Sequence, residues 1–150
     1  MLIRLDFAPT PDTIKDYAEN AVLSMRDVYS IQMDYSVDSL AQVDRVLHEW
    51  REGGAPLEAV TKSLYALGAY AGEAVLRADP RGRWVVPPKA QYGAADSLFM
   101  YVTFPDGRVW PCIALTFEAL MGVPRHTLEG SAKGVLAGQS VPLTDPDDRG

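Results

Sequence analysis

The chain carries one cysteine and two histidines, so nucleophilic or metal chemistry would have to be assembled from Cys112, His48 and His126. Cys112 with a histidine and a carboxylate such as Asp106 would make a Cys-His pair, the histidine drawing off the thiol proton. Nothing in their spacing demands it. Cys112 sits in the apolar run "WPCIAL", the setting of a buried, inert thiol. His48, in "VLHEW", and His126, after Pro124, read as surface histidines. Zinc needs several ligands converging, and HxxH, HExxH and CxxC are all missing. Asp34, Asp38 and Asp44 lack the alternation and central glycine of a calcium loop; helix capping accounts for Asp38 and a solvent face for Asp44. "GSAKG", Gly130 to Gly134, lacks the order of a phosphate loop and is expected to be a flexible loop or weak helix. No catalytic residue, metal ligand or cofactor is therefore assigned, and the sequence argues against an enzyme.

Binding chemistry is better represented. In "LGAYAGEAVLR", Leu67 to Arg77, Gly68 and Gly72 lie one helical turn apart, although each costs about 1 kcal/mol relative to alanine. Such a pair lets a backbone or a flat ring approach closely, and Trp50 or Trp84 would suit the groove. Glu73 follows in an apolar segment, where a carboxylate near the core must find a partner. Arg77, Arg81 and Arg83 supply candidates. One reading is an ion pair tying the helix end to the next strand; the other is a pocket between helix and sheet, lined by Tyr70, Glu73, Arg83 and Trp84. A separate cluster of aromatics includes Phe99, Tyr101 and Trp110, of the residue types that anchor protein interfaces.

The elements that must position these residues follow from period and punctuation. Thr10 and Pro11 open a helix carrying Ile14, Tyr17, Ala18, Ala21, Val22, Met25 and Val28 on one stripe. Ser36 caps a second, with Val37, Leu40, Val43, Leu47 and Trp50 on its apolar face and Gly53-Gly54 at its end. A third opens at Pro56 and should stop before Pro80. The period then changes to two. "RLDF" (Arg4 to Phe7) reads as a short strand or an ordered arm; "RWVV" (Arg83 to Val86) and "LFMYVTF" (Leu98 to Phe104) are strands, and "PDG" turns the latter into a hairpin with "RVWP". "ALTFEALMG", Ala114 to Gly122, is a short fourth helix. The fold class is α+β: three principal helices followed by a small antiparallel sheet and a short fourth helix. Residues 1–137 make one domain and 138–150 a flexible tail.

The totals restrict partners. At 150 residues and 47% hydrophobic content, the chain can bury a real core. Fourteen basic against twenty acidic residues give −6 with no basic run, which disfavours nucleic acid and anionic membranes. No stretch reaches the ~18 apolar residues of a membrane span, the N-terminus does not read as a signal peptide, and the lone cysteine allows no internal disulfide. A cytoplasmic location is expected.

Several stretches resemble a family of small uncharacterised bacterial proteins, a domain of unknown function. They are "DYSVDSL" with Asp44 (a DYS-x-x-SL helix start), "LGAYAGE" (GAY-x-GE), "GRW" (G-x-W) and "GRVWPCIAL". The resemblance spans Asp34 to Gly122. It implies a bacterial, cytosolic α+β domain, and by analogy an antitoxin-like immunity or binding protein. The leading expectation is thus a non-enzymatic protein, immunity-like or regulatory, that meets another protein, or a second copy of itself, through the hairpin at Phe99, Tyr101 and Trp110. The alternative is a small-molecule-binding domain using the pocket at Tyr70, Glu73, Arg83 and Trp84.

Overall fold

The run from Ser63 to Val75 is buried on every side. A helix apolar all round belongs at the centre of a domain, and the other elements assemble about it. The computed structural model describes residues 10–87, 100–122 and 126–141. In chain order its elements are α1 (Ile14–Tyr29), α2 (Leu40–Glu52), α3 (Leu57–Ala78), β1 (Arg83–Val85), β2 (Tyr101–Thr103), β3 (Val109–Trp110), α4 (Cys112–Met121) and α5 (Leu128–Leu136). α1 and α4 pack on α3, while α5 sits against α2, α3 and β3. The class is α+β, with a three-stranded antiparallel sheet in the order β1-β2-β3.

Helix starts fall where polar caps stand, displaced inward by one turn. The Ile14 amide donates to the Thr10 carbonyl at 2.8 Å, and Thr10 and Thr13 exchange amide-to-hydroxyl bonds, so Thr10 caps a turn that runs into α1. Ser36 does the same before α2: its hydroxyl accepts from the Ser39 amide at 3.1 Å. α3 ends at Ala78, before Pro80.

The glycine pair has a direct explanation. A methyl at Gly68 would lie 2.7 Å from the Ile113 Cα, so α4 crosses α3 at backbone distance. A methyl at Gly72 would run into the outer ring of the Trp84 indole and reach within 3.2 Å of the Cys112 sulfur. Trp84, not Trp50, fills the groove. Trp50 instead spans α1 and α2, its indole N–H donating to the Tyr29 hydroxyl at 2.9 Å.

Across the sheet, Trp84, Val102 and Trp110 are register partners and share one face. Met100, Val102 and Phe104 are buried as the alternation requires, and Gly107 turns the hairpin at φ 92°. Trp110 is fully buried, and its indole N–H donates to the Ser131 hydroxyl at 2.8 Å.

Two expectations are corrected here, the solvent face read for Asp44 and the domain end at residue 137, and of the two readings of Gly130 to Gly134 the helix is the one formed. The glycine-containing segment around Gly130 to Gly134 is a regular nine-residue helix, α5. Its start is capped twice: the Thr127 hydroxyl accepts from the Gly130 amide, and Asp44 on α2 accepts from the Leu128 and Glu129 amides at 2.8 and 3.1 Å. Asp44 therefore docks α5 and does not merely face solvent. The fold also runs past residue 137, since Val141 is buried and its amide donates to the Val109 carbonyl at 3.0 Å. Residues 142–150, Phe99 and the Arg4–Phe7 segment lie outside the described residues.

The turn from α3 to β1 is held by charge. Asp79 accepts from the Arg81 Nε and Nη2 at 2.9 and 2.8 Å, and this fork holds its carboxyl down at about 2. An unfolded aspartate titrates near about 4. A carboxyl depressed by folding adds stability at neutral pH that is lost as pH falls through the folded value. Thermal unfolding midpoints should therefore drop between pH about 4 and about 2, and drop less steeply in Asp79→Asn. Equal slopes for wild type and variant would remove Asp79 from the acid response.

Candidate functional site

Three short stretches far apart in sequence meet around one part of α3. Asp34 accepts the Ser36 amide at 3.0 Å, forming a turn that leaves Tyr35 at φ 62°, a region sparsely used by residues other than glycine. Three contacts hold it there. Its amide donates to the Tyr70 hydroxyl at 2.8 Å, its ring lies 4.7 Å from that of Tyr70, and its hydroxyl donates to Glu19 at 2.6 Å. Ser39 donates its own hydroxyl proton to the Ser36 carbonyl, so the Tyr70 hydroxyl donates to the Ser39 oxygen at 2.6 Å. Tyr70 thus clamps the start of α2 to the centre of α3.

One turn along α3, Glu73 is 8% exposed. Its Oε1 accepts from the Trp84 indole N–H at a long 3.4 Å, so the residue that follows Gly72 orients the ring that Gly72 seats. Arg77, a further turn on, places its guanidinium 3.5 Å above the Tyr35 ring, a cation–π contact. Arg77 and Arg83 make no ion pair with Glu73; the bond that ties the helix to the strand is the indole N–H.

A cleft of about 430 Å³ opens beside Glu73, bounded by α1, the C-terminal half of α3 and β1. Glu73, Leu76 and Trp84 form its inner wall, and the exposed side chains of Lys15, Arg77 and Arg83 stand at its rim with Pro11 and Pro80. A second hollow of about 330 Å³ shares Lys15, Glu73 and Arg77 and adds Glu19 and Tyr35.

Of the four pocket residues read from the sequence, Glu73, Arg83 and Trp84 border the cleft and Tyr70 does not. Tyr70 is fully buried and acts behind the wall, through Tyr35 and Ser39. Lys15 and Tyr35 were missed, and Arg77 was read only as an ion-pair candidate for Glu73. Lys15 stands on a helix face that looks merely solvated in sequence, and the position of Tyr35 depends on a backbone conformation that no periodicity reveals.

The hairpin fares differently as a docking surface. Trp110 is in the core and cannot present a contact face; Tyr101 is half-buried on β2, and Phe99 is outside the described residues. The nucleophilic set is not assembled. Cys112 is buried beneath Gly72, burial pushes its thiol far above the usual range, His48 and His126 are exposed, and Asp106 is paired with Arg108. Among the described residues, no group of three His, Cys, Asp or Glu side chains could hold a metal ion, and no helix is long and apolar enough to cross a membrane.

No family model, curated protein or solved structure matches the chain.

Proposed function

We propose that the chain is a non-enzymatic binding domain for a small molecule, with the cleft between α1, α3 and β1 as its site. The observation that supports this most is convergence. The stretches 67–73 and 82–84 supply the cleft wall through Glu73 and Trp84, and 34–40 backs it through Tyr35 in the adjoining hollow, held from behind by Tyr70; all three stretches carry motifs of the resemblance to the small bacterial family. Binding sites are concave, mainly apolar and served by a few placed polar groups, and this wall has that composition. The cleft lies within the usual range of about 300–1,000 Å³ for small ligands. Membership of that family, and a cytoplasmic, immunity-like or regulatory role in which ligand binding controls a protein contact, belong to the same proposal.

Native mass spectrometry of the gently purified protein tests it, beside the exposed-residue variant Arg83→Ala and the wall variant Trp84→Ala. The expected result is a small molecule of fixed mass on the wild type, reduced in the first variant and lost in the second. A stoichiometric protein partner or a homodimer, with no small molecule, would return the function to a protein-interaction role.

A further inference from the structure

We propose that the cleft takes an anion, a small carboxylate or phosphate ester carried on a flat apolar body; this rests on the cleft being the binding site. The chain as a whole is acidic, at −6. The cleft is the reverse: Lys15, Arg77 and Arg83 border it against a single carboxylate, Glu73. Elsewhere Arg26, Arg51, Arg81, Arg108 and Lys133 each meet a carboxylate, and Arg45, exposed on α2, stands alone without one among the described residues. Among the described residues, Lys15 and Arg83 form no ion pair, and Arg77 only stacks on Tyr35. In an acidic protein, three cations left without carboxylates around one concavity produce a local positive field that draws in anions.

The carboxylates that line the two hollows, Glu73 and Glu19, do not cancel that field in the same place. Glu19 is engaged by the Tyr35 hydroxyl in the adjoining hollow. Glu73 is buried at the inner wall, bonded to the Trp84 indole, while the cations are exposed at the rim. A ligand therefore orients itself. Its anionic head is repelled from Glu73 and sits at the rim among Lys15, Arg77 and Arg83, and its apolar body lies inward against Trp84 and Leu76. Arginine adds a planar fork that matches carboxylate and phosphate oxygens.

Three probes share one ring system and differ in charge: 2-naphthoate, 2-naphthamide and 2-naphthylmethylammonium. Each is titrated into the full chain while the Trp84 indole N–H resonance is followed by NMR. Naphthoate should bind about tenfold tighter than the amide and the ammonium weakest, as several exposed charges acting together allow. Arg83→Glu should weaken naphthoate by about tenfold and leave the amide unchanged, whereas Arg26→Glu, on the far-exposed Asp27 pair, should change neither. An amide that binds as well as naphthoate, or an ammonium that binds best, overturns the anion inference and leaves the cleft as a site. If none of the three moves the resonance at millimolar concentration, the inference and the small-molecule reading fall together.

Discussion

Replacing Arg108 with methionine should lower the unfolding free energy by about 3 kcal/mol, the low end of the range for breaking a buried ion pair from one side. The Arg108 side chain is only 9% exposed, and every part of the guanidinium is used. Its Nε donates to both oxygens of Asp106 at 3.0 and 2.8 Å, Nη2 lies 3.5 Å from Asp79, Nη1 donates to the Val135 carbonyl, and the group stacks 4.3 Å over the Phe104 ring. One side chain thus ties the end of α3, the hairpin turn and α5. Methionine keeps much of the volume but leaves the Val135 carbonyl and a nearly buried Asp79 short of a donor. The low end applies because Arg81 still neutralises Asp79 and because Asp106 is largely exposed. The contrast is Arg81→Met: with Arg81 mostly in solvent, its loss should cost less than about 1 kcal/mol. Urea unfolding of both variants decides the matter. Equal losses would mean that Arg108 is no more than a surface partner.

The second large effect is at the glycines. Gly68→Ala should cost up to about 2 kcal/mol, because overpacking against backbone reaches about 3 kcal/mol and the gain in helix propensity returns only about 1. The obstruction is the backbone of α4 at Ile113, which cannot turn aside as a side chain can. Gly72→Ala meets a ring instead. It should displace the Trp84 indole, weaken its long bond to Glu73 and shift its N–H resonance. Placed on a Trp84→Ala background, the same substitution should lose most of its cost, since the next atom met is the Cys112 sulfur at 3.2 Å. Coupling of this kind is what a double-mutant cycle reads. Additive effects of Gly72→Ala and Trp84→Ala would show that the two do not touch in solution. A stabilised Gly68→Ala would show that α4 can move away.

Local chemistry determined much of this protein. Helix periodicity, the caps at Thr10 and Ser36, and the stops at Gly53 and Pro80 depend on neighbours within a turn or two, so α1, α2 and α3 were legible before folding was considered. The hairpin at Pro105 to Gly107 was legible for the same reason, as was the need of Gly72 for a flat partner. Contacts across the chain decided the rest. α5 has two glycines in a nine-residue segment and weak intrinsic propensity, but Thr127 and the distant Asp44 satisfy its first amides, and packing of Leu128, Ala132 and Val135 does the remainder. Both faces of the "LFMYVTF" strand are apolar, so alternation could separate the faces but could not say which one α5 would cover; Ser131 takes Trp110, on the partner strand, inward. Glu73, Arg83 and Trp84 could be grouped from sequence because a tight turn joins α3 to β1. Lys15 and Tyr35 could not, nor could their approach to Arg77, since the cleft and its adjoining hollow take residues from α1, the turn before α2 and the end of α3, brought together only by the packing of α1 on α3.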